Sequence, residues 1–192
     1  MPLGNGVSIV NLTVIQIPTL TTERLILRPF CDEDIDAYAE ICADPEVMRY
    51  LVPGQPISRA EAWRQMAFIM GHWQLKGFGF WALQERATGR LIGRAGLQHP
   101  EGWPAFEAGW TLGRPYWGHG YATEAAREAL RYAFEDLDRD HVISLIRPGN
   151  DPSIRVAERL GERLEGETEV MGGPAFVYGI DRATWSRLQR KS

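Results

Sequence analysis

The segment from Arg114 to Glu124 constrains this chain more than any other, because a glycine-rich loop leads directly into a strongly amphipathic helical pattern. Gly118 and Gly120 allow the backbone to approach a ligand closely and to adopt positive φ angles. The first turn of the following helix offers unpaired N–H groups and the positive end of the helix dipole. The pattern therefore predicts an anion-binding site between a strand and a helix.

Two common nucleotide-binding motifs do not match this loop. A P-loop requires Gly-Lys followed by Ser or Thr, and the sequence contains neither combination. A dinucleotide-binding fingerprint requires a third glycine where this chain has Thr123. Taken alone, the two glycines are also explained by a tight connection between a strand and a helix. A second motif is therefore needed to identify the anion.

Composition narrows the class of partner. The net charge of -4 is unsuited to a protein that binds nucleic acid through a large basic surface, so a small-molecule partner is expected. Cys31 and Cys42 form no CxxC pair, and the four histidines form no HExxH motif, so neither a zinc site nor any other metal site is predicted. No apolar run reaches the roughly 20 residues that span a bilayer, and we expect a cytoplasmic protein without a membrane partner.

The spacing of apolar residues predicts one α+β domain over residues 21–192, preceded by an extension of uncertain structure over residues 1–20. Helices are expected from Asp32, from Ser58 to about Trp73, after the glycine loop, from Ser153 to about Leu160, and at the end of the chain. The predicted strands cover residues 22–29, 78–83, 91–97, 107–112, 141–146, 163–170 and 175–180. The glycine loop therefore lies inside a strand, loop, helix, strand unit.

The second motif runs from Arg147 to Gly161, where a strand opens into a helix. Its Asn150 and Ser153 are ordinary turn and N-cap residues when considered alone. In this order, with one helix and one strand between them, the two motifs resemble the GNAT superfamily of acyl-CoA-dependent N-acetyltransferases. Further matches, such as the segment from Thr22 to Arg28, resemble its ribosomal-protein N-acetyltransferase branch. The resemblance runs from about Thr22 to about Trp185.

The resemblance implies a mixed, mostly antiparallel twisted sheet flanked by helices. It also implies that acetyl-CoA lies in a V-shaped opening between two parallel strands that end near Leu112 and Ile146. Backbone groups of three residues would pair with the pantetheine arm, and the loop amides would hold the pyrophosphate, while Asn150 would order the cosubstrate or the loop. Trp117 replaces the family's usual Gln or Arg, which removes one side-chain contact. The residues implied for cosubstrate binding are Trp110, Thr111, Leu112, Trp117, Gly118, His119, Gly120, Tyr121, Ala122, Thr123 and Asn150.

Acyl transfer to an amine requires a base for the amine proton and benefits from an acid for the departing thiolate. Glu107 is the candidate base, because it lies in the strand that leads to the loop and shares a face with Gly109 and Thr111. An exposed strand glutamate is the competing interpretation. Ser153 matches the position at which this branch is thought to supply the general acid. The competing role for Ser153 is an N-cap.

The sequence specifies the donor better than the acceptor. We expect a primary amine, either a peptide or protein N-terminus or a small molecule, acetylated directly in a ternary complex by a monomer or homodimer. Aromatic residues between Trp73 and Trp110 either pack in the core or line the acceptor groove. Two alternatives remain: a GNAT-fold sensor that binds acyl-CoA without turnover, and a nucleotide-binding α/β protein that ATP or NAD would stabilise.

Overall fold

The structure is a computed structural model that describes residues 15–190, so most of the predicted extension over residues 1–20 lies outside the described residues. The strands are β1 Leu20–Thr21, β2 Leu25–Arg28, β3 Phe80–Glu85, β4 Leu91–Gln98, β5 Glu107–Leu112, β6 His141–Ile146, β7 Arg163–Val170 and β8 Gly173–Asp181. The helices are α1 Ile35–Cys42, α2 Pro45–Met48, α3 Arg59–Lys76, α4 Tyr121–Arg131, α5 Asp151–Leu160 and α6 Arg182–Gln189.

All eight strands join one sheet in the order β1-β2-β3-β4-β5-β6-β8-β7. Every neighbouring pair is antiparallel except β5 and β6. The helical crossover α4 joins these two parallel strands, as a parallel connection requires. β5 pairs with β4 over all six of its residues, but it shares only the pair Glu107 and Ile143 with β6. The sheet therefore opens between β5 and β6 beyond that pair, and the predicted GNAT fold class is confirmed.

The helices cover both faces of the sheet. Four buried residues of α4, Ala125, Ala126, Ala129 and Leu130, form the stripe that packs on β4 and β5. Next to α4 lies α5, whose Ala157 joins Ile146 and Tyr178 in a small apolar cluster. On the other face, α1 packs against α3 and β4. Because side chains alternate along a strand, Glu107 and Ala108 of β5 point to opposite faces.

Helix boundaries follow local capping. Ser58 and Glu61 form the predicted capping box at the start of α3, and the helix continues to Lys76, where Gly77 in the left-handed region ends it. Asn150 caps α5, so this helix begins at Asp151 and not at the predicted Ser153. α1 ends at Cys42, two residues before Asp44, whose side chain caps the short α2.

Candidate active site

The glycine loop begins where β5 ends. Gly118 and Gly120 have φ angles of 80° and 82°, in the left-handed region that favours glycine. Gly120 is the N-cap residue of α4, and its carbonyl accepts the first helical hydrogen bond from Glu124 N. The N–H groups of the three residues before Glu124 therefore point out of the helix end, where an anion is favoured.

A charged clamp from the start of the domain holds this loop. Arg24 Nη1 donates to His119 O at 2.8 Å, and Arg24 Nε donates to Glu124 Oε2 at 2.7 Å. Glu124 Oε1 also accepts bonds from Thr22 Oγ1 and Arg24 N. Burial opposes ionisation of Glu124, but these donors prevail and lower its pKa. The Arg24 guanidinium also lies 4.6 Å from the centre of the Tyr121 ring. The clamp fixes the loop from outside the anion site.

Most of the predicted cosubstrate residues line one cavity of about 460 Å³. It is bounded by the end of β5, the glycine loop, the start of α5 and the segment around α2. The predicted residues in its lining are Trp110, Thr111, Leu112, Trp117, Gly118, Gly120, Tyr121, Ala122, Thr123, Asn150 and Ser153. His119 and Glu107 are not in this lining.

Trp117, which replaces the Gln or Arg of the family loop motif, makes a hydrogen bond within the protein. Trp117 Nε1 donates to Leu112 O at 2.8 Å, so the indole ties the loop to the end of β5. The carbonyl of Leu112 therefore already accepts one hydrogen bond, although a carbonyl oxygen can accept a second. β5 pairs with β4 on one side only over this stretch, which leaves its other edge available to an extended ligand.

Glu107 lies at the inner end of the opening and is only 6% exposed. Gln98 Nε2 donates to its Oε2 at 2.7 Å, and Trp103 Nε1 donates to the same oxygen. Leu145 N approaches Oε1 at 3.4 Å. Burial raises the pKa of Glu107 to about 7, against the lowering effect of these donors. The side chain is thus a buried carboxylate with Oε1 partly free, which suits a base that works near neutral pH.

The structure at the start of α5 shows whether Ser153 is the N-cap of the helix or keeps its hydroxyl available to a ligand, a question that the sequence alone left open. Asn150 is the N-cap, and its Oδ1 accepts a bond from Ser153 N at 3.3 Å. Ser153 is half-buried and lines the cavity, and its hydroxyl has no hydrogen-bond partner among residues 15–190. Ser153 is therefore not the cap, and its hydroxyl is available to a ligand.

Three further cations line this cavity and were missed in the sequence: Arg49, which follows α2, and Arg155 and Arg159 of α5. Arg155 and Arg159 of α5 line it one helical turn apart, at a spacing that could have drawn attention to them. Arg114, at the start of the glycine-rich segment, is not in the lining and lies 3.0 Å from Asp44 Oδ2. Positive charge at the cavity therefore comes from α5 as well as from the loop amides.

Comparison with known proteins identifies the arrangement. The family model described as "Acetyltransferase (GNAT) domain" matches residues 24–163. This protein belongs to the GNAT acetyltransferase family. FsC-acetyl coenzyme A-N(2)-transacetylase of Aspergillus fumigatus is 31% identical over 203 residues, covering 94% of this chain and 83% of that protein. The uncharacterized protein YkkB of Bacillus subtilis is 33% identical over 169 residues, covering 83% of this chain and 93% of YkkB.

Among solved structures, the acetyltransferase from Agrobacterium tumefaciens superposes with a TM-score of 0.78 at 34% identity, over 90% of this chain and 99% of that one. The family match and these relatives show that this GNAT protein is an N-acetyltransferase, with acetyl-CoA as the family's cosubstrate. Within residues 15–190, no helix is long and apolar enough to cross a membrane. The same range contains no cluster of three or more side chains suited to a metal ion.

Proposed function

We propose that this GNAT enzyme transfers the acetyl group of acetyl-CoA to a primary amine by direct attack, with Glu107 as the base. One observation carries the proposal: a buried carboxyl with a pKa of about 7 lies at the inner end of the strand opening whose outer end is the glycine loop. The donor and the base would then meet where β5 and β6 separate.

The donor would lie along the free edge of β5. Backbone groups from Trp110 to Leu112 would bond the amides of the pantetheine arm, as a sheet edge bonds an added strand. The amides from Gly118 to Thr123 would hold the pyrophosphate at the N-terminus of α4. Arg155 and Arg159 of the cavity lining would add charge complementary to the phosphates.

The reaction would need no covalent enzyme intermediate. The neutral amine attacks the thioester carbonyl carbon, the C–N bond forms, and the C–S bond breaks. The proton lost by the amine passes to Glu107 Oε1, directly or through a water, because Oε2 already accepts two hydrogen bonds. The Ser153 hydroxyl gives a proton to the departing thiolate and regains one from solvent.

The acceptor is proposed as a peptide or protein N-terminus, with a small-molecule amine as the second candidate. The sequence motifs shared with the ribosomal-protein branch, including the segment from Thr22 to Arg28 that supplies Thr22 and Arg24 of the clamp, support the first. The relative from Aspergillus fumigatus, named as an N(2)-transacetylase, supports keeping both. The proposal includes a cytoplasmic site of action, which the free thiols of Cys31 and Cys42 suit, and a monomer or homodimer.

A CoA-release assay with acetyl-CoA and separate panels of short peptides and small amines tests this function. Acetylation of one panel, lost in Glu107→Gln, is the expected result. If acetyl-CoA raises the melting temperature but no amine is acetylated, the protein is instead a sensor of acyl-CoA. If ATP or NAD stabilises the protein and acetyl-CoA does not, the assigned donor is wrong.

A further inference from the structure

A second buried carboxyl lies close to the strand opening and has no part in the reaction proposed above. Glu162 directly follows α5 and is 2% exposed, as is Ser144 of β6. Ser144 Oγ lies 3.1 Å from Glu162 Oε1 and 2.9 Å from Ala108 O. Glu162 Oε2 is buried without a hydrogen-bond partner in the described part of the chain. Burying a carboxylate with so few donors is costly.

Counting protons at Ser144 indicates which form Glu162 takes. A serine hydroxyl has a single proton, and a backbone carbonyl can only accept. If Ser144 donates to Ala108 O, its contact with Glu162 is a hydrogen bond only when Glu162 carries the proton and donates it. Ser144 can therefore be hydrogen-bonded to both Ala108 O and Glu162 when Glu162 is the neutral acid, but not when it is a carboxylate.

The electrostatic surroundings agree with this count. Burial raises the pKa of Glu162 to about 8. The charged groups that act on it are Glu107 of β5 and Glu165 of β7, and both acids raise the pKa further. Glu162 is therefore mostly neutral at pH 7 and ionises in the mildly alkaline range.

This small network lies at the junction of three parts of the site. The last pair between β5 and β6 is Glu107 with Ile143, and the link from Ser144 to Ala108 O crosses the same two strands one residue further on. Glu162 follows Gly161, which ends α5. The network thus connects β5, which carries Glu107, with the end of α5, whose first turn carries Ser153.

We propose that Glu162 and Ser144 are positioning residues, which in the protonated state fix the inner end of the opening between β5 and β6. The inference rests on the proposed function, because that opening would hold the thioester between Glu107 and Ser153. When Glu162 ionises, the Ser144 hydroxyl donates its hydrogen bond to the Glu162 carboxylate and no longer to Ala108 O. The strands at the inner end then lose one of their side-chain links, and acyl transfer slows.

The substitution Glu162→Gln tests the proposal, because the amide still donates to Ser144 Oγ but cannot ionise. Turnover of one amine is measured from pH 7 to pH 9.5 in both proteins at saturating acetyl-CoA. Titration of the amine is common to both proteins, so it cancels in the ratio of variant to wild type, and the Glu165→Gln control below measures how far a nearby charge alone changes that ratio. That ratio should lie near one at pH 7 and rise at least about fivefold by pH 9.5, the equivalent of one buried hydrogen bond. A ratio that does not change with pH overturns the proposal.

Two controls separate positioning from general electrostatics. Glu165→Gln removes one of the charges that raise the pKa of Glu162, from an exposed position paired with His141, so turnover of this variant relative to wild type should show no alkaline rise. Ser144→Ala breaks the link to Ala108 O and should slow turnover at every pH, with no further pH-dependent effect from adding Glu162→Gln. If Glu165→Gln reproduces the alkaline rise, the effect is electrostatic and the proposal is wrong.

A binding measurement separates failure of this proposal from failure of the proposed function. The dissociation constant of acetyl-CoA is measured by calorimetry over the same pH range for wild type and Glu162→Gln. If wild type acetylates no amine, the proposed function fails, and the positioning role then requires that only wild type lose affinity at alkaline pH. If wild type acetylates an amine, and neither the ratio of turnover nor the ratio of dissociation constants between variant and wild type changes with pH, only the positioning role fails.

Discussion

Replacing Glu107 with Gln should lower activity and raise stability at the same time. Gln keeps the size of the side chain, and its carbonyl can still accept from Gln98 and Trp103, but it cannot take a proton from the amine. Removing a general base typically costs about 10²-fold to 10⁴-fold in rate. We therefore expect kcat/KM to fall at least about 100-fold at pH 8.

The gain in stability follows from the raised pKa. The Glu107 carboxyl has its pKa raised from 4.5 to about 7 in the folded protein, which corresponds to about 3 kcal/mol. Below pH 4.5 the acid is neutral in both the folded and unfolded states, so burial costs no ionisation energy. Between pH 4.5 and 7 the unfolded chain loses the proton first, and the free energy of unfolding declines as the pH rises. Gln has no such loss, so its advantage should grow by up to about 3 kcal/mol across this range.

Urea unfolding of both proteins at pH 4.5, 6 and 8, followed by tryptophan fluorescence, measures this difference. Glu101→Gln is the matched control, because Glu101 is an exposed acid in the turn just before β5, and neither activity nor stability should change. A variant that keeps more than about a third of wild-type kcat/KM would refute the base assignment. A stability difference that does not change with pH would refute the burial argument.

Four further variants distinguish the contributions of the clamp, the loop and the start of α5. Arg24→Gln removes the bonds to His119 O and Glu124, and should weaken acetyl-CoA binding about tenfold by calorimetry, with kcat at saturation nearly unchanged. Gly118→Ala should raise the KM for acetyl-CoA several-fold; apart from the adjoining residues no protein atom lies within 4 Å of the added Cβ, so a loss would report the strain of a φ of 80° or contact between the Cβ and the bound cosubstrate. Ser153→Ala should lower kcat at least about tenfold without changing the melting temperature. By contrast, Asn150→Ala should cost about 1 kcal/mol of stability in urea through the lost N-cap.

Local patterns in the sequence were sufficient for the elements that build the site. β5 and β6 have the predicted bounds, because each is a short apolar run between turn residues. Alternation along β5 placed Glu107 on one face with Gly109, in agreement with the structure. Gly118 and Gly120 have the positive φ angles that their spacing predicted.

Contacts between distant segments were beyond the reach of these patterns. Arg24 and Glu124 are 100 residues apart, and neither has a local feature that indicates its partner. Glu162 directly follows a helix-ending glycine, a position that sequence alone suggests is exposed, yet packing beneath α5 buries it. Ser153 had two equal interpretations until the structure identified Asn150 as the cap. Sequence periodicity gives the face of an element, whereas these side chains depend on what covers that face.

The two buried acids near the opening differ in their hydrogen-bond donors rather than in their burial. Glu107 accepts from Gln98, Trp103 and the backbone of Leu145, and these donors stabilise its carboxylate, so that its pKa stops at about 7. Glu162 has only Ser144 beside it, and its pKa reaches about 8. The carboxylate of Glu107 is therefore better stabilised than that of Glu162. Environments that separate the pKa values of neighbouring acids are typical of acids with different roles, which supports the proposals of Glu107 as the base and Glu162 as a neutral hydrogen-bond donor.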